Sequence, residues 1–230
     1  MTSAVTDPAA EFESELRIFD NDVDEAVQCF YIWRTVHAVA RNSRKVYDML
    51  NRNSGFWNVA LGSIQANSLI ALGRIFDKDP RTSNIKRLLK LAQDNPAIFS
   101  KHTVERRKSK LLANNSSLLE DYMRNVHDPS PADFKRLQSF MDSRRKVYER
   151  CYKQLRDKRY AHRERTNISG FFAQTDIREL AQLVTDLSKL HRVLWDWQQN
   201  GVRPRTSRLL GTAGKQIRRD TLKFVKSLVA

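Results

Sequence analysis

The sequence predicts an all-α protein, a multi-helix up-and-down bundle, and three observations carry that expectation. Only 7 Gly and 6 Pro occur in 230 residues, while Leu, Ala, Lys, Arg, Gln and Glu, which have good helix propensity, are abundant. Apolar side chains recur at steps of three and four along most of the chain, the period of a helix face rather than the alternation of a strand. The stretches between those runs are rich in Asn, Ser, Asp, Gly and Pro, which favour caps and turns. With 40% apolar residues the chain can bury a core instead of remaining disordered.

The elements follow in order. Residues 1–20 read as an acidic lead-in, after which Asn21 or Asp22 can cap a helix to about Leu50, with Phe30, Trp33, His37, Ala40 and Tyr47 at helical spacing. NRNSG at 51–55 is turn-rich. The run that follows places Trp57, Leu61, Ile64, Ser68, Leu72 and Ile75 on one face of a second long helix ending near Asp77. KDPRTSN is a loop, Ser83 caps a short helix, and Asn95-Pro96 stops it ahead of a polar, basic segment over 103–126. DPSP breaks the chain. Pro131 then suits the first turn of a helix carrying Phe134, Leu137, Met141, Tyr148, Cys151 and Leu155 inward. Thr175 or Asp176 opens the next helix, whose seam of Ile177, Leu180, Val184, Leu187, His191 and Leu194 belongs against another helix. Residues 201–214 read as a basic linker, and 215–230 as a short amphipathic helix with Ile217, Leu222, Val225 and Val229 on one side. The expected organisation is therefore a lead-in over 1–20, a helical domain over 21–200, and a basic C-terminal linker and helix over 201–230.

The formal charge is +15, and it is unevenly distributed. Asp7, Glu11, Glu13, Glu15, Asp20, Asp22, Asp24 and Glu25 face a single Arg17 in the first 28 residues, which leaves about +22 on the remainder. A field of that sign gathers polyanions, so RNA, DNA or an acidic partner is expected. Cys29 and Cys151 are the only cysteines; they are too few for a disulfide framework and lack zinc-ligand spacing. The N-terminus has no basic start and no apolar stretch, and no apolar run reaches about 18 residues, so a cytoplasmic protein without a membrane span is expected.

The chain contains no phosphate-cradling Gly loop, no HExxH and no GxSxG, so kinase, zinc-protease and hydrolase chemistry lack support. Its five histidines, His37, His102, His127, His162 and His191, are scattered without metal-ligand spacing; no metal and no cofactor is expected. His162 stands apart because it sits in RDKRYAH, among Arg156, Lys158, Arg159 and Arg163. A neutral imidazole there can move protons beside a bound phosphate. RNA cleavage without a metal needs a group to take the proton of a 2'-hydroxyl, another to protonate the leaving oxygen, and cationic donors for the charge that builds on phosphorus. Arginine suits the last task through its bidentate fork.

RDKRYAH resembles the signature of the HEPN superfamily, an Arg followed by a polar residue and then a His. Five residues separate Arg156 from His162, with Asp157 in the polar position. Upstream, FWNVALGSIQANSLIALGRIFDKD, with Gly73, Arg74 and Asp77, is similar to the first block of the abortive-infection AbiU-type branch. Order and distance of the two blocks also agree, so the likeness covers roughly residues 25–200. The resemblance implies a helical bundle pairing as a homodimer, its two motif segments meeting in one cleft as a metal-independent endoribonuclease, a toxin or phage-defence effector. Carried over by position, His162 is the acid or base, Arg156 the phosphate clamp and Asp157 an orienting group. Lys158, Arg159, Tyr160 and Arg163 then bind RNA, with Arg74 and Asp77 in support. An antitoxin or nucleotidyltransferase is an implied partner. Some members carry a Tyr two residues beyond the His, where AMP is attached; this chain has Glu164 there, with Tyr160 nearby. On an ideal helix Arg156 and His162 stand about 120° apart and about 9 Å along the axis. Either the helix deforms there or a second subunit completes the site.

Blander readings stand beside these. A non-catalytic helical scaffold can use the same basic residues only to dock nucleic acid or a nucleotide. Arg74 and Asp77, three residues apart, can form a local ion pair worth about 0.2–0.5 kcal/mol. His37 and His191 fall on apolar stripes as hydrogen-bonded core residues. Phe30, Trp33, Trp57, Trp195 and Trp197 read as core rather than a base-stacking platform. The basic C-terminus either extends an RNA-binding surface or is a solvated helix.

Overall fold

The structure, a computed structural model, describes residues 7–112, 115–157, 176–203 and 214–229. The first helix, α1, spans Pro8–Asn42 and therefore starts well before Asn21. Asp7 caps it by accepting a hydrogen bond from the Ala9 amide at 3.0 Å, and Pro8 takes a first-turn position, where its missing N–H costs nothing. Phe12, Leu16 and Phe19, spaced by four and three, are buried. That apolar stripe outweighs the acidic composition around it, so residues 8–20 are helix and their carboxylates face other helices. The helix stops at Ser43, whose extended backbone and hydroxyl cap α2, Arg44–Arg52; one helix to Leu50 does not form. Asn53 alone separates α2 from α3, Ser54–Ile75.

Asn84 rather than Ser83 caps α4, Ile85–Asp94. A 3-10 turn at Pro96–Phe99 follows, then α5, Lys101–Leu111, and α6, Ser116–Arg124. Helix α7, Pro131–Cys151, begins with a reciprocal capping box between Ser130 and Asp133. A three-residue turn, α8, Lys153–Leu155, succeeds it. Helix α9 runs over Ile177–Asn200, capped by Asp176 and closed by Gly201 at φ 57°, a left-handed conformation that glycine takes without a Cβ penalty. The last helix, α10, is Lys215–Ser227. The described residues contain no strand: the protein is an all-α bundle.

Helix α1 is the spine, packing against α3 most extensively and also against α9, α10, α4 and α2. Phe99 is the aromatic centre of one end, with ring centroids 5.0 Å from Phe12, 5.5 Å from Phe134 and 6.4 Å from Trp197. A smaller cluster of Val36, Val46, Met49, Leu61 and Val225 seats α10 on α1, α2 and α3. The expected aromatic core divides: Phe30 and Trp197 are buried, whereas Tyr47 and Trp195 are exposed. His37 is exposed on α1 against Trp33, not a core residue. His191 matches its expected place more closely, three-quarters covered, with Nδ1 3.0 Å from Asp20. No described helix is long and apolar enough to cross a membrane.

Candidate functional site

The C-terminal end of α3 and the break after α7 meet at one spot. The last turn of α3 brings Gly73 to the surface of the helix that α8 approaches. The side chain of Arg156 lies across it, so that a Cβ built on Gly73 falls 2.8 Å from Arg156 Cδ, 3.1 Å from Cζ, and closer still to Nη1. A side chain at this position would oblige the guanidinium to shift from its seat. The upstream block and the Arg-to-His motif are thus in contact through Gly73 and Arg156.

The backbone deforms where the Arg needs it. Helix α7 ends at Cys151, Tyr152 forms a turn, and after α8 residues 156–157 adopt the wider π-helical geometry. Arg156 Nε donates to Asp157 Oδ1 at 2.6 Å and Nη2 pairs with the same oxygen. Lys153 Nζ lies 3.8 Å from the other Asp157 oxygen. Asp157 therefore fixes one edge of the guanidinium fork while Nη1 rests on α3. The Arg156 side chain keeps 26% of its surface open to solvent, enough to meet a ligand.

Beneath it lies Tyr148, which the sequence marks only as an apolar-stripe residue. Its ring stacks on Phe76 at 5.1 Å and 21°, and its buried hydroxyl has no hydrogen-bond partner among the described residues. Burial pushes the phenol up to about 12, opposed by Arg156 and reinforced by Asp157, Asp77 and Glu149. It is a neutral donor beside Arg156 at every ordinary pH. The sequence signal for it is faint, a Tyr two helical turns before the motif on the same face.

Arg74 and Asp77 do not pair with each other. Arg74 Nε reaches Asp22 Oδ1 of α1 at 2.7 Å, and Nη2 pairs with Glu25; burial works against its charge, but the two carboxylates prevail and raise its pKa. Asp77 accepts from the amides of Lys78 at 2.7 Å and Asp79 at 3.2 Å, and from Thr82 Oγ1 at 3.3 Å. A residue three places on along an ideal helix faces Arg74, but the helix ends at Ile75, and the carboxylate turns to cap the loop instead. Lys158, Arg159, Tyr160, His162 and Arg163 lie outside the described residues.

Beside this spot is a cavity of about 520 Å³ with Phe30, Trp33, Leu69, Tyr152, Leu155 and Ile177 among its walls. Tyr152 Oη donates to the Asp176 carbonyl at 2.7 Å, tying the α8 turn to the start of α9. Burial drives its phenol well above the ordinary range. Among the described residues, no group of three His, Cys, Asp or Glu side chains could hold a metal ion.

No curated protein and no solved structure matches the chain. One family does, described as AbiU2 of the HEPN type, and the match runs over residues 10–210, so it takes in α1, the Gly73 block and the Arg156 motif together. With most of the chain covered, the protein belongs to the HEPN AbiU2 family.

Proposed function

We propose that the protein is a metal-independent endoribonuclease of HEPN type, acting in abortive infection as a toxin or phage-defence effector. Two copies form a composite site in which Arg156 and His162 of each meet one RNA phosphate. His162 moves the proton of the attacking 2'-hydroxyl or of the leaving oxygen, Arg156 clamps the phosphate, and Asp157 orients Arg156. Lys158, Arg159, Tyr160 and Arg163 hold the flanking RNA, and Arg74 and Asp77 support the end of α3. An antitoxin or a nucleotidyltransferase is the matching partner class.

The observation that carries the reading is the seat of Arg156 on Gly73. A guanidinium held in a side-chain-free notch, braced by its neighbouring carboxylate, is preorganised for phosphate. The family match supports the same assignment. The test is incubation of the purified protein with total RNA in chelator, followed by mapping of the ends. Cleavage leaving cyclic phosphate is expected, with loss in Arg156→Ala and His162→Ala. A Gly73→Ala protein with an unchanged circular dichroism spectrum should cleave about 10²-fold more slowly, because a displacement of the clamp near 1 Å has that effect. Full activity in Gly73→Ala, or in His162→Ala, would sink the proposal.

A further inference from the structure

The family match ends at residue 210, so the role of α10 has to be read from its own surroundings. Helix α10 is anchored: Val225 is buried with Val36, Val46, Met49 and Leu61, and Ile217 packs on the main core. Between it and the C-terminal half of α1 runs a groove of about 770 Å³. Arg34 projects into it from α1, and Lys215, Arg218, Arg219 and Lys226 from α10. No acidic side chain is among the described residues that line it, and none of the five cations has a carboxylate partner among the described residues. Arg44, just beyond the groove, shows the alternative, being paired with Asp48 at 3.0 Å.

Bringing five like charges together without counter-ions is unfavourable, and the usual resolution is an anion supplied from outside. The spacing indicates which kind. From Lys215 to Lys226 the cations extend about 16 Å along the helix, too far for one small anion, but the length of about five stacked nucleotides of a single strand at about 3.4 Å each. Three of the five are arginines, whose forks match phosphate oxygens. The amides at the start of α10 have no side-chain cap, which adds positive potential at the end of the groove where Lys215 stands. An acidic polypeptide is less well matched, because its carboxylates alternate around the backbone whereas phosphates repeat along one line.

We infer that the groove between α1 and α10 binds the sugar-phosphate backbone of single-stranded RNA. This surface deepens the nuclease reading and rests on it for the choice of RNA. From Glu25, where α1 meets Arg74, to Ala38, which lines the groove, α1 climbs about 20 Å. The groove thus grips substrate away from the Arg156 notch and adds affinity that does not depend on cleavage.

The test measures the two separately. Binding is followed by fluorescence anisotropy with a short 2'-O-methyl RNA, which cannot be cut by 2'-hydroxyl attack, across a range of salt; cleavage is followed with unmodified RNA. The triple variant R218A/R219A/K226A should bind at least about tenfold more weakly near 50 mM salt, with its log-log salt slope shallower by about 2, the share of three phosphate contacts on a single strand. Arg156→Ala should change that slope by less than about 1. An unchanged affinity and slope in the triple variant, with wild-type cleavage intact, overturns the groove and leaves the nuclease standing. Loss of binding in the triple variant of a protein that cuts nothing keeps the groove and removes the nuclease. A wild-type protein that binds poly-glutamate but not the RNA probe overturns the inference in favour of an acidic protein partner.

Discussion

The two halves of α1 treat cations in opposite ways. Along its N-terminal half two arginines are matched: Arg87 meets Glu11 at 2.9 Å and Glu15 at 3.0 Å, and Arg74 meets Asp22 and Glu25, while the His191 ring lies against Asp20. Glu15 and Asp22 are largely covered, with side chains only 10% and 13% exposed, so these pairs tie α3, α4 and α9 to the spine. Along its C-terminal half the cations of α10 crowd against Arg34 with no carboxylate partner among the described residues. The acid-rich start of the chain is therefore internal counter-charge, and the excess of the net charge is free to act elsewhere. A paired cation should reveal itself in stability, an unpaired one in binding.

The sharpest break of that comparison is a pair buried more deeply than those on α1. Asp186 of α9 is 1% exposed, with Arg144 Nε of α7 at 2.7 Å and Lys189 at 3.1 Å. Arg144→Ala strands part of a buried carboxylate, and about 2–4 kcal/mol of unfolding free energy should be lost in urea denaturation. A loss under about 1 kcal/mol would place this pair with the solvent-screened ones. RNA-probe affinity should stay within twofold of wild type.

Next in size is a change that alters the groove without altering its charge. Gly214 precedes α10 at φ 70°, and a Cβ there falls 2.6 Å from Tyr31 Cγ, with other ring atoms closer. Gly214→Ala should cost about 1–2 kcal/mol for the left-handed backbone alone, with displacement of Tyr31 added. Amide exchange should accelerate along α10 first, and RNA affinity should fall although every cation remains. Unaltered exchange in α10 would mean that the helix is not seated through this glycine.

These differences between regions were only partly legible in the sequence. Helix period, the Pro131 start, the Asp176 cap and the Gly201 stop rest on local chemistry, so they could be read residue by residue. The start of α1 could not, because Phe12, Leu16 and Phe19 are diluted by carboxylates whose partners, Arg87, Arg74 and His191, lie 49 or more residues away in sequence. For the same reason Arg74 looked like a partner for Asp77. At the candidate site the motif names Arg156 and Asp157, but the notch at Gly73 and the buried hydroxyl of Tyr148 exist only once α3 and α7 are packed. The groove was half visible: the basic face of 215–230 is a sequence feature, and its opposition to Arg34 is a tertiary one.

A smaller effect tests the paired side through pH. Burial lowers the pKa of His191 from its ordinary value of 6.5, while Asp20 and Asp24 partly oppose that shift. A base whose folded pKa is depressed binds its proton less readily in the native state. Its contribution is therefore complete above the unfolded pKa near 6.5 and is lost as pH falls below that value toward the folded one. Unfolding free energy should decline on acidification from pH 7, by at most about 1.4 kcal/mol per pH unit from one proton. The His191→Gln protein should show a shallower decline over the same interval. An identical slope in both would assign the acid sensitivity to carboxylates alone.

The smallest expected change in stability belongs to the unpaired side. Arg219 is exposed on α10, lines the groove, and has neither the aromatic contact that Arg218 makes with Tyr31 at 5.7 Å nor an ion pair among the described residues. Removing it takes away repulsion from its neighbours and no ion pair among the described residues, so Arg219→Ala should leave unfolding free energy within about 0.5 kcal/mol of wild type. The sign is informative: a gain of a few tenths at low ionic strength should vanish once added salt brings the Debye length to about 3 Å near 1 M. An added polyanion should reverse the order, because wild type then gains the counter-charge that the variant holds less tightly. If Arg219→Ala instead loses stability in low salt, the residue has an internal partner, and the contrast between the two halves of α1 is one of degree.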